Sequence, residues 1–158
     1  MEDLFFAGFF IGLMAFLLLI IAFGIVVFIL QAIGLYKIAK KEGKNNIAWL
    51  AWIPVASGFL IPLVVEEDVQ PGLRGKLTIV YAVSVVVAIM FAYFLPFTPL
   101  IPLGFMLYAF YYIAAKYSDK PAFHLAIGIA TIGNSVPFQL FMLRNRERIS
   151  GETVIEEA

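Results

Sequence analysis

Residues 5–30 read FFAGFFIGLMAFLLLIIAFGIVVFIL, an apolar run without a charged side chain, and this run decides the fold class. A helix that crosses a membrane needs about 20 consecutive apolar residues, and the run exceeds that length. A secretory signal peptide has an apolar core of only about 7–15 residues, which follows a basic segment. Here the acidic Glu2 and Asp3 precede the run. We therefore predict a tilted transmembrane helix whose last turns, ending near Lys41, leave the bilayer.

The composition of the whole chain agrees with a membrane protein. Of the 158 residues, 63% are hydrophobic, whereas ordinary soluble domains are about 45–50% apolar. The formal net charge is zero, so no overall positive field favours a nucleic-acid partner. The chain has no Cys, which excludes disulfides, thiol chemistry and zinc sites built from cysteine.

Four more apolar stretches follow the first, at residues 47–65, 77–95, 101–117 and 122–143. If all five stretches crossed the bilayer, seven of the eleven Lys and Arg residues would lie on one side and four on the other. The stretches 47–65 and 122–143 both contain internal Gly and Pro. If these two enter the membrane and return, all eleven basic residues lie on one side, which the positive-inside rule makes cytoplasmic.

We therefore predict an all-α integral protein of the plasma membrane with three transmembrane helices and two Pro/Gly-broken re-entrant or interfacial segments. Five transmembrane helices are the alternative. The N-terminus and the turn at residues 96–99 would face outside, and the C-terminus would be cytoplasmic. Residues 1–143 would form the membrane domain, and residues 144–158 would form a short cytoplasmic tail.

A weak internal repeat relates two parts of the chain, residues 36–62 and residues 111–137. At an offset of 75 positions, eight residues of the first copy are identical in the second. Chance would give roughly two or three identities in so biased a composition. Both copies run in the same direction, which is typical of parallel repeats about an axis along the membrane normal. The shared positions include Gly58 with Gly133 and Pro62 with Pro137.

The candidate functional residues are polar or helix-breaking side chains inside apolar stretches. Broken helices line binding sites in many transporters, but polar side chains near a break can instead bond the backbone groups that it frees. Trp49 and Trp52 are predicted interfacial anchors, because amphipathic rings favour the headgroup level. The candidates for a polar path or a helix break are Asn134, Ser135, Gln139, Ser57, Pro62 and Pro137.

No catalytic, metal or cofactor site is predicted. The chain has a single His, His124, and no HExxH or phosphate-binding loop motif. Glu66, Glu67 and Asp68 are adjacent acids that could bind a divalent cation through oxygen, although acidic loops are more often simply solvated. The GxxxG of Gly8 and Gly12 could mark contact within one protomer or between copies.

Residues 38–54 read IAKKEGKNNIAWLAWIP, a basic turn with Gly followed by Trp and Ile-Pro, and residues 114–137 repeat the outline. These two patches resemble an uncharacterised family of small bacterial polytopic membrane proteins. Some members of that family are fused ahead of a signal-peptidase domain. The resemblance implies membrane location and a helical fold, and it implies no known reaction.

Three functions of different classes remain open, and the last of them is an intramembrane enzyme. The first is a non-enzymatic scaffold or accessory subunit, embedded in the lipid bilayer, that packs against a membrane-protein partner or a second copy. The second is a small oligomeric channel or transporter whose broken helices line the path. No charged residue lies inside a predicted span, which weakens a proton-relay or ion-pump interpretation.

Overall fold

The computed structural model describes residues 2–149, and its regular elements in that range are all helical. The predicted all-α class is confirmed for these residues. The helices are α1 (Glu2–Lys41), a short 3-10 helix (Ala48–Trp52), α2 (Pro54–Val65), α3 (Leu77–Phe91), α4 (Leu100–Tyr117), α5 (Pro121–Ala130) and α6 (Val136–Leu143).

Helix α1 has two halves with opposite surroundings. Its 40 residues extend over about 60 Å. Every residue from 8 to 26 is exposed, so nothing in the described part of the chain covers this apolar half. In the second half, Ala32, Leu35, Ile38 and Ala39 are completely buried along one face. The first half therefore projects from a packed base, which the second half helps to build.

Two described helices are long and apolar enough to cross a membrane: α1 from Gly8 to Lys41, and α4, Leu100–Tyr117. The predicted span 77–95 is shorter than expected, since α3 ends at Phe91 and turns follow. Proline has no backbone N–H and restricts the residue before it, so a helix tends to end ahead of Pro96.

The packed base has α1 on one side and α4 on the other. The second half of α1 packs against the 3-10 helix and α6, while α4 packs against α2, α3 and α5. A Cβ added to Gly34 would lie 2.7 Å from the backbone carbon of Leu140. Glycine at this position therefore lets α1 and α6 approach backbone to backbone.

The two Pro/Gly-containing stretches fold differently. In the first, the chain turns at Ile53, and α2 then runs through Gly58 and Pro62 without a break. Thus Pro62 is a residue of the last turns of α2 and not a break. Ile53 is extended, as expected for a residue before proline. Pro54 is the first residue of α2, where a backbone N–H would have no helical partner in any case.

The second stretch is broken between α5 and α6 at residues 131–135. His124 Nδ1 lies 2.6 Å from Gln139 Oε1, although 15 residues of straight helix would separate them by about 22 Å. The chain therefore folds back between them. With 10 and 8 residues, α5 and α6 are each shorter than the roughly 30 Å hydrocarbon core. Pro137 is the second residue of α6, a position that favours proline.

The spacing of 75 residues recurs in the burial pattern. In α1 the buried positions are Ala32, Gly34, Leu35, Ile38 and Ala39, and 75 residues later in α4 they are Leu107, Ala109, Phe110, Ile113 and Ala114. Likewise Ile61, Pro62, Val64 and Val65 are buried, as are Val136, Pro137, Gln139 and Leu140. The long helix of each copy packs against the Pro-containing helix of the other copy: α1 packs against α6, and α4 packs against α2.

Candidate functional site

The polar residues of the second broken stretch form one hydrogen-bonded group, here called the hairpin network: His124, Thr131, Asn134, Ser135 and Gln139. Gln139 Nε2 donates to Ser135 Oγ at 2.9 Å, while its Oε1 accepts from His124 Nδ1. Because an amide oxygen can only accept, Nδ1 must carry a proton in this contact. Gln139 is 5% exposed, so this buried amide is bonded at both ends.

The network also bonds the backbone at the helix break. Thr131 Oγ1 lies 2.8 Å from the carbonyl oxygen of Ile127 and 2.8 Å from Ser135 Oγ. Asn134 Nδ2 donates to the carbonyl oxygen of Thr131 at 2.9 Å. A break leaves carbonyl and N–H groups without helical partners, and unpaired groups of this kind are costly in an apolar medium. The geometry therefore gives these side chains a structural task.

The backbone at the break is a C-terminal helix cap of the Schellman type. Gly133 N–H donates to the Gly128 carbonyl at 2.7 Å, and Ile132 N–H donates to the Ile129 carbonyl at 3.0 Å. Ile132 and Gly133 have φ of +52° and +81°. A branched residue is rarely found in this left-handed region, so Ile132 adds strain at the point where the chain reverses.

The remaining predicted polar candidate, Ser57, lies apart from the hairpin network on α2. Its Oγ donates to the Pro54 carbonyl at 2.8 Å and accepts from Gln31 Nε2 at 3.4 Å. This contact joins α1 to α2. The structure thus brings Asn134, Ser135 and Gln139 together, and it places Ser57 and Pro62 elsewhere.

Two shallow hollows on the described surface are apolar and contain no residue of the hairpin network. One, of about 380 Å³, lies along the exposed half of α1 and includes Phe10 and Met14. The other, of about 250 Å³, lies between α3 and α4 and includes Ala88, Ala92 and Pro99. Neither hollow offers a polar lining for a hydrated solute.

A second group of bonded side chains lies at the end of the base where α1 and α4 terminate. We call it the ionic cluster: Glu42, Asp68, Lys116, Tyr117 and Arg148. Lys116 Nζ lies 2.6 Å from Glu42 Oε2 and also contacts Asp68. Tyr117 donates its hydroxyl to Glu42 Oε1 at 2.6 Å. Arg148 lies 3.9 Å from Glu42 and 4.0 Å from Asp68.

Burial makes this cluster more than a surface ion pair. The side chains of Glu42 and Lys116 are 5% and 12% exposed. Burial by itself would raise the pKa of Glu42, but the hydrogen bonds from Lys116 and Tyr117 and the charges of Lys116 and Arg148 outweigh it. The pKa of Glu42 is therefore lowered from its ordinary value of 4.5. Glu42 is held as a carboxylate at neutral pH.

The ionic cluster joins the two halves of the chain, and sequence reasoning missed it. Both carboxylates come from the first half, and both cations come from the second. Lys41 and Lys116 are equivalent positions of the repeat, as are Glu42 and Tyr117. Lys41 lies 5.4 Å from the ring centre of Tyr117, which mirrors the contact of Lys116 with Glu42. The one sequence feature that pointed to this cluster was the 75-residue repeat, which makes Lys41 and Lys116 equivalent.

The first residues of the predicted tail also pack onto this end. Lys41 Nζ donates to the Arg146 carbonyl at 2.6 Å, and Ile149 N–H donates to the Lys116 carbonyl at 2.8 Å. Lys37 Nζ donates to Asn145 at 3.3 Å. Residues 144–149 are thus part of the packed base, and the rest of the predicted tail, residues 150–158, lies outside the described residues.

Each residue of the acidic triplet, Glu66, Glu67 and Asp68, has a bonding partner in the fold. Glu66 Oε1 accepts from the backbone N–H of Thr78 at 3.2 Å, Glu67 pairs with Lys44 at 3.4 Å, and Asp68 belongs to the ionic cluster. In residues 2–149 no group of three or more His, Asp or Glu side chains is placed to hold a metal ion.

The predicted anchors Trp49 and Trp52 are about half exposed on the 3-10 helix. Trp49 Nε1 donates to the Asn46 carbonyl at 3.1 Å, so its polar group is bonded while its ring faces outward. The interfacial role of the two tryptophans stays a prediction.

Comparisons with protein-family models, with curated proteins and with solved structures find no match for this chain. The resemblance to small bacterial polytopic membrane proteins therefore stays a prediction.

Proposed function

We propose that this chain is a non-enzymatic membrane scaffold or accessory subunit. The observation that carries the proposal is that the polar side chains of the second broken stretch bond one another and the freed backbone. A conducting path would instead need polar groups that face a hydrated cavity. The base is a rigid support of packed helices, and α1 projects from it.

In this proposal α1 crosses the plasma membrane with the N-terminus outside. Residues 8–30 extend over about 34 Å, which matches a hydrocarbon core of about 30 Å crossed with some tilt. All eleven basic residues follow this part of α1. The positive-inside rule then assigns the basic end of the base, with the ionic cluster, and the C-terminus to the cytoplasmic side. Trp49 and Trp52 would anchor the base at the headgroup level.

The partner would be a transmembrane helix of another protein, packed against the exposed half of α1. Gly8 and Gly12 lie on one face of that half, and a Cβ added at either position would meet no atom within 4 Å. Small residues on a membrane helix allow a neighbouring backbone to approach closely.

Purification from native membranes in mild detergent tests this proposal. The wild-type chain should copurify a membrane protein in fixed ratio, and Gly8→Leu with Gly12→Leu should lose it. Gly24→Leu is the matched control, because Gly24 is equally open but lies about 160° around the helix from Gly8. Loss of the partner in both variants, or no partner with the wild-type chain, would refute the proposed contact.

A second experiment separates a scaffold from a channel. Asn134→Leu with Gln139→Leu leaves hairpin donors and acceptors unpaired, so thermal stability in detergent should fall, chiefly through the buried Gln139. Each unpaired buried group costs about 1–3 kcal/mol, and the membrane reference state reduces this toward ~0.6 kcal/mol. Solute flux in liposomes that carry the wild-type protein should stay at background. A stable double variant that loses a wild-type flux would overturn the scaffold proposal in favour of a channel.

A further inference from the structure

The hairpin of α3 and α4 is short for a structure that crosses a bilayer twice. Helix α3 has 15 residues and α4 has 18, so they extend over about 22 Å and 27 Å. The hydrocarbon core alone is about 30 Å thick. Lys76 precedes α3 and Lys116 belongs to the ionic cluster near the end of α4, so the ends of both helices away from the turn are charged. Measured from these cations, neither helix alone spans the hydrocarbon core.

The turn itself is apolar and uncharged. Residues 89–104 read IMFAYFLPFTPLIPLG and contain no charged side chain. Tyr93, Phe94 and Phe97 are 91%, 76% and 75% exposed, which makes the turn a cluster of outward-facing aromatic rings. Loops that emerge into water are polar as a rule, and exposing such rings to water opposes the hydrophobic effect.

Five of the six N–H groups in residues 94–101 donate to nearby backbone carbonyls. Leu95 N–H donates to the Phe91 carbonyl at 2.8 Å, and Thr98 N–H donates to the Leu95 carbonyl at 3.1 Å. The hydroxyl of Thr98, the one polar side chain of the turn besides Tyr93, is bonded to the Leu95 carbonyl at 2.9 Å.

Three prolines remove donors where helical bonding stops. Pro96, Pro99 and Pro102 have no N–H, and Ile101 N–H donates back to the Thr98 carbonyl at 3.1 Å. In hydrocarbon each backbone polar group has to be satisfied within the protein, whereas a loop in water has no such need. The local bonding of this turn therefore lowers the cost of placing it in lipid.

From these observations we propose that the α3–α4 hairpin is a lipid-embedded wedge. It enters the membrane from the side of Lys76 and Lys116, and its aromatic turn ends among lipid acyl chains without reaching the opposite aqueous phase. The inference rests on the membrane placement of the proposed function, and it replaces the sequence-based expectation that the turn at residues 96–99 lies outside. All eleven basic residues still share one side.

Single-cysteine labelling tests the wedge, since the chain has no native Cys. The probe is a membrane-impermeant maleimide, applied to right-side-out and to inside-out vesicles that carry the full chain. In each preparation, Phe97→Cys should label at least tenfold more slowly than the control cysteine on the side that the reagent reaches. It should label fully in denaturing detergent. Asp3→Cys is the outside control, and Gly72→Cys, in an open loop of the base, is the inside control.

Labelling of Phe97→Cys in right-side-out vesicles at the rate of Asp3→Cys would overturn the proposal, because the hairpin would then cross. Phe94→Cys, on the same turn, serves if Phe97→Cys does not fold. A nitroxide at residue 97 should also relax with molecular oxygen several-fold more than with a water-soluble nickel chelate. The reverse ratio would equally overturn the wedge. A chain that alkaline carbonate extracts from the vesicles would refute the membrane placement of the proposed function itself.

Discussion

The two copies of the 75-residue repeat share Gly58 with Gly133 and Pro62 with Pro137, yet the first copy is a continuous helix there and the second is a break. The neighbouring side chains account for the difference. Asn134, Ser135 and Gln139 bond groups that the break frees, whereas the first copy has Phe59, Leu60 and Val64 at those offsets. Apolar side chains cannot bond backbone N–H and carbonyl groups, so in the first copy these groups are satisfied by the continuous helix. A shared Gly-x-x-x-Pro therefore permits a break without requiring one.

The largest expected effect comes from the lysines that the repeat makes equivalent. Lys116→Met removes the main partner of Glu42, which is 5% exposed, so the free energy of unfolding should fall by about 3–5 kcal/mol. Lys41→Met removes an exposed lysine near Tyr117 and should cost less than about 1 kcal/mol. Thermal unfolding in detergent measures both. Adding Glu42→Gln to Lys116→Met should recover part of the loss, and equal losses for the two lysines would contradict the cluster.

Acid should weaken the same cluster. The pKa of Glu42 is lower in the folded protein than its ordinary value of 4.5, so the stability it contributes is complete above that value. It is lost as the pH falls below 4.5 and through the folded pKa. Compared with wild type, Glu42→Gln should lose less melting temperature between pH 5 and the acid limit of folding. Glu67→Gln, at an 80% exposed carboxylate, is the control and should follow wild type.

Alanine at the two shared glycines should act in opposite directions. Gly133 has φ +81°, and a Cβ there would lie 2.9 Å from Leu103, so Gly133→Ala should destabilise the fold by about 2 kcal/mol. Gly58 is inside α2, and its Cβ would make an ordinary 3.5 Å contact with Tyr81. Gly58→Ala should therefore stabilise by up to about 1 kcal/mol. Melting temperatures that move in the same direction would show that the two copies are locally alike.

The smallest stability changes are expected at Ser57 and Ile132, which directly precede the shared glycines Gly58 and Gly133. Ile132 is exposed with φ +52°, so Ile132→Gly should relieve strain and stabilise by about 1 kcal/mol. Ser57 is helical and bonds the Pro54 carbonyl, so Ser57→Gly should destabilise by about 1 kcal/mol. Chemical denaturation in a fixed detergent resolves differences of this size. A loss of stability in Ile132→Gly would mean that the isoleucine side chain supports the reversal.

The amino-acid sequence alone was enough to predict the helical class, the long apolar α1 and a break within residues 122–143. These features depend on composition and local chemistry: 26 apolar residues have to form a helix in an apolar medium, and Gly133 with Pro137 favours a reversal. The choice of Asn134, Ser135 and Gln139 as a group followed from their polarity within an apolar stretch. Their separation from Ser57 did not, because local patterns carry no distances between helices.

Which polar groups meet depends on the packing of the helices. Glu42 and Lys116 are 74 residues apart, and their pairing depends on how the ends of α1 and α4 converge. The same holds for the continuous helix through Pro62, where packing of α2 against α1 and α4 overrides a residue that disfavours helices. Long-range contacts of this kind sum many weak packing terms, and a single sequence does not rank the arrangements that compete for them.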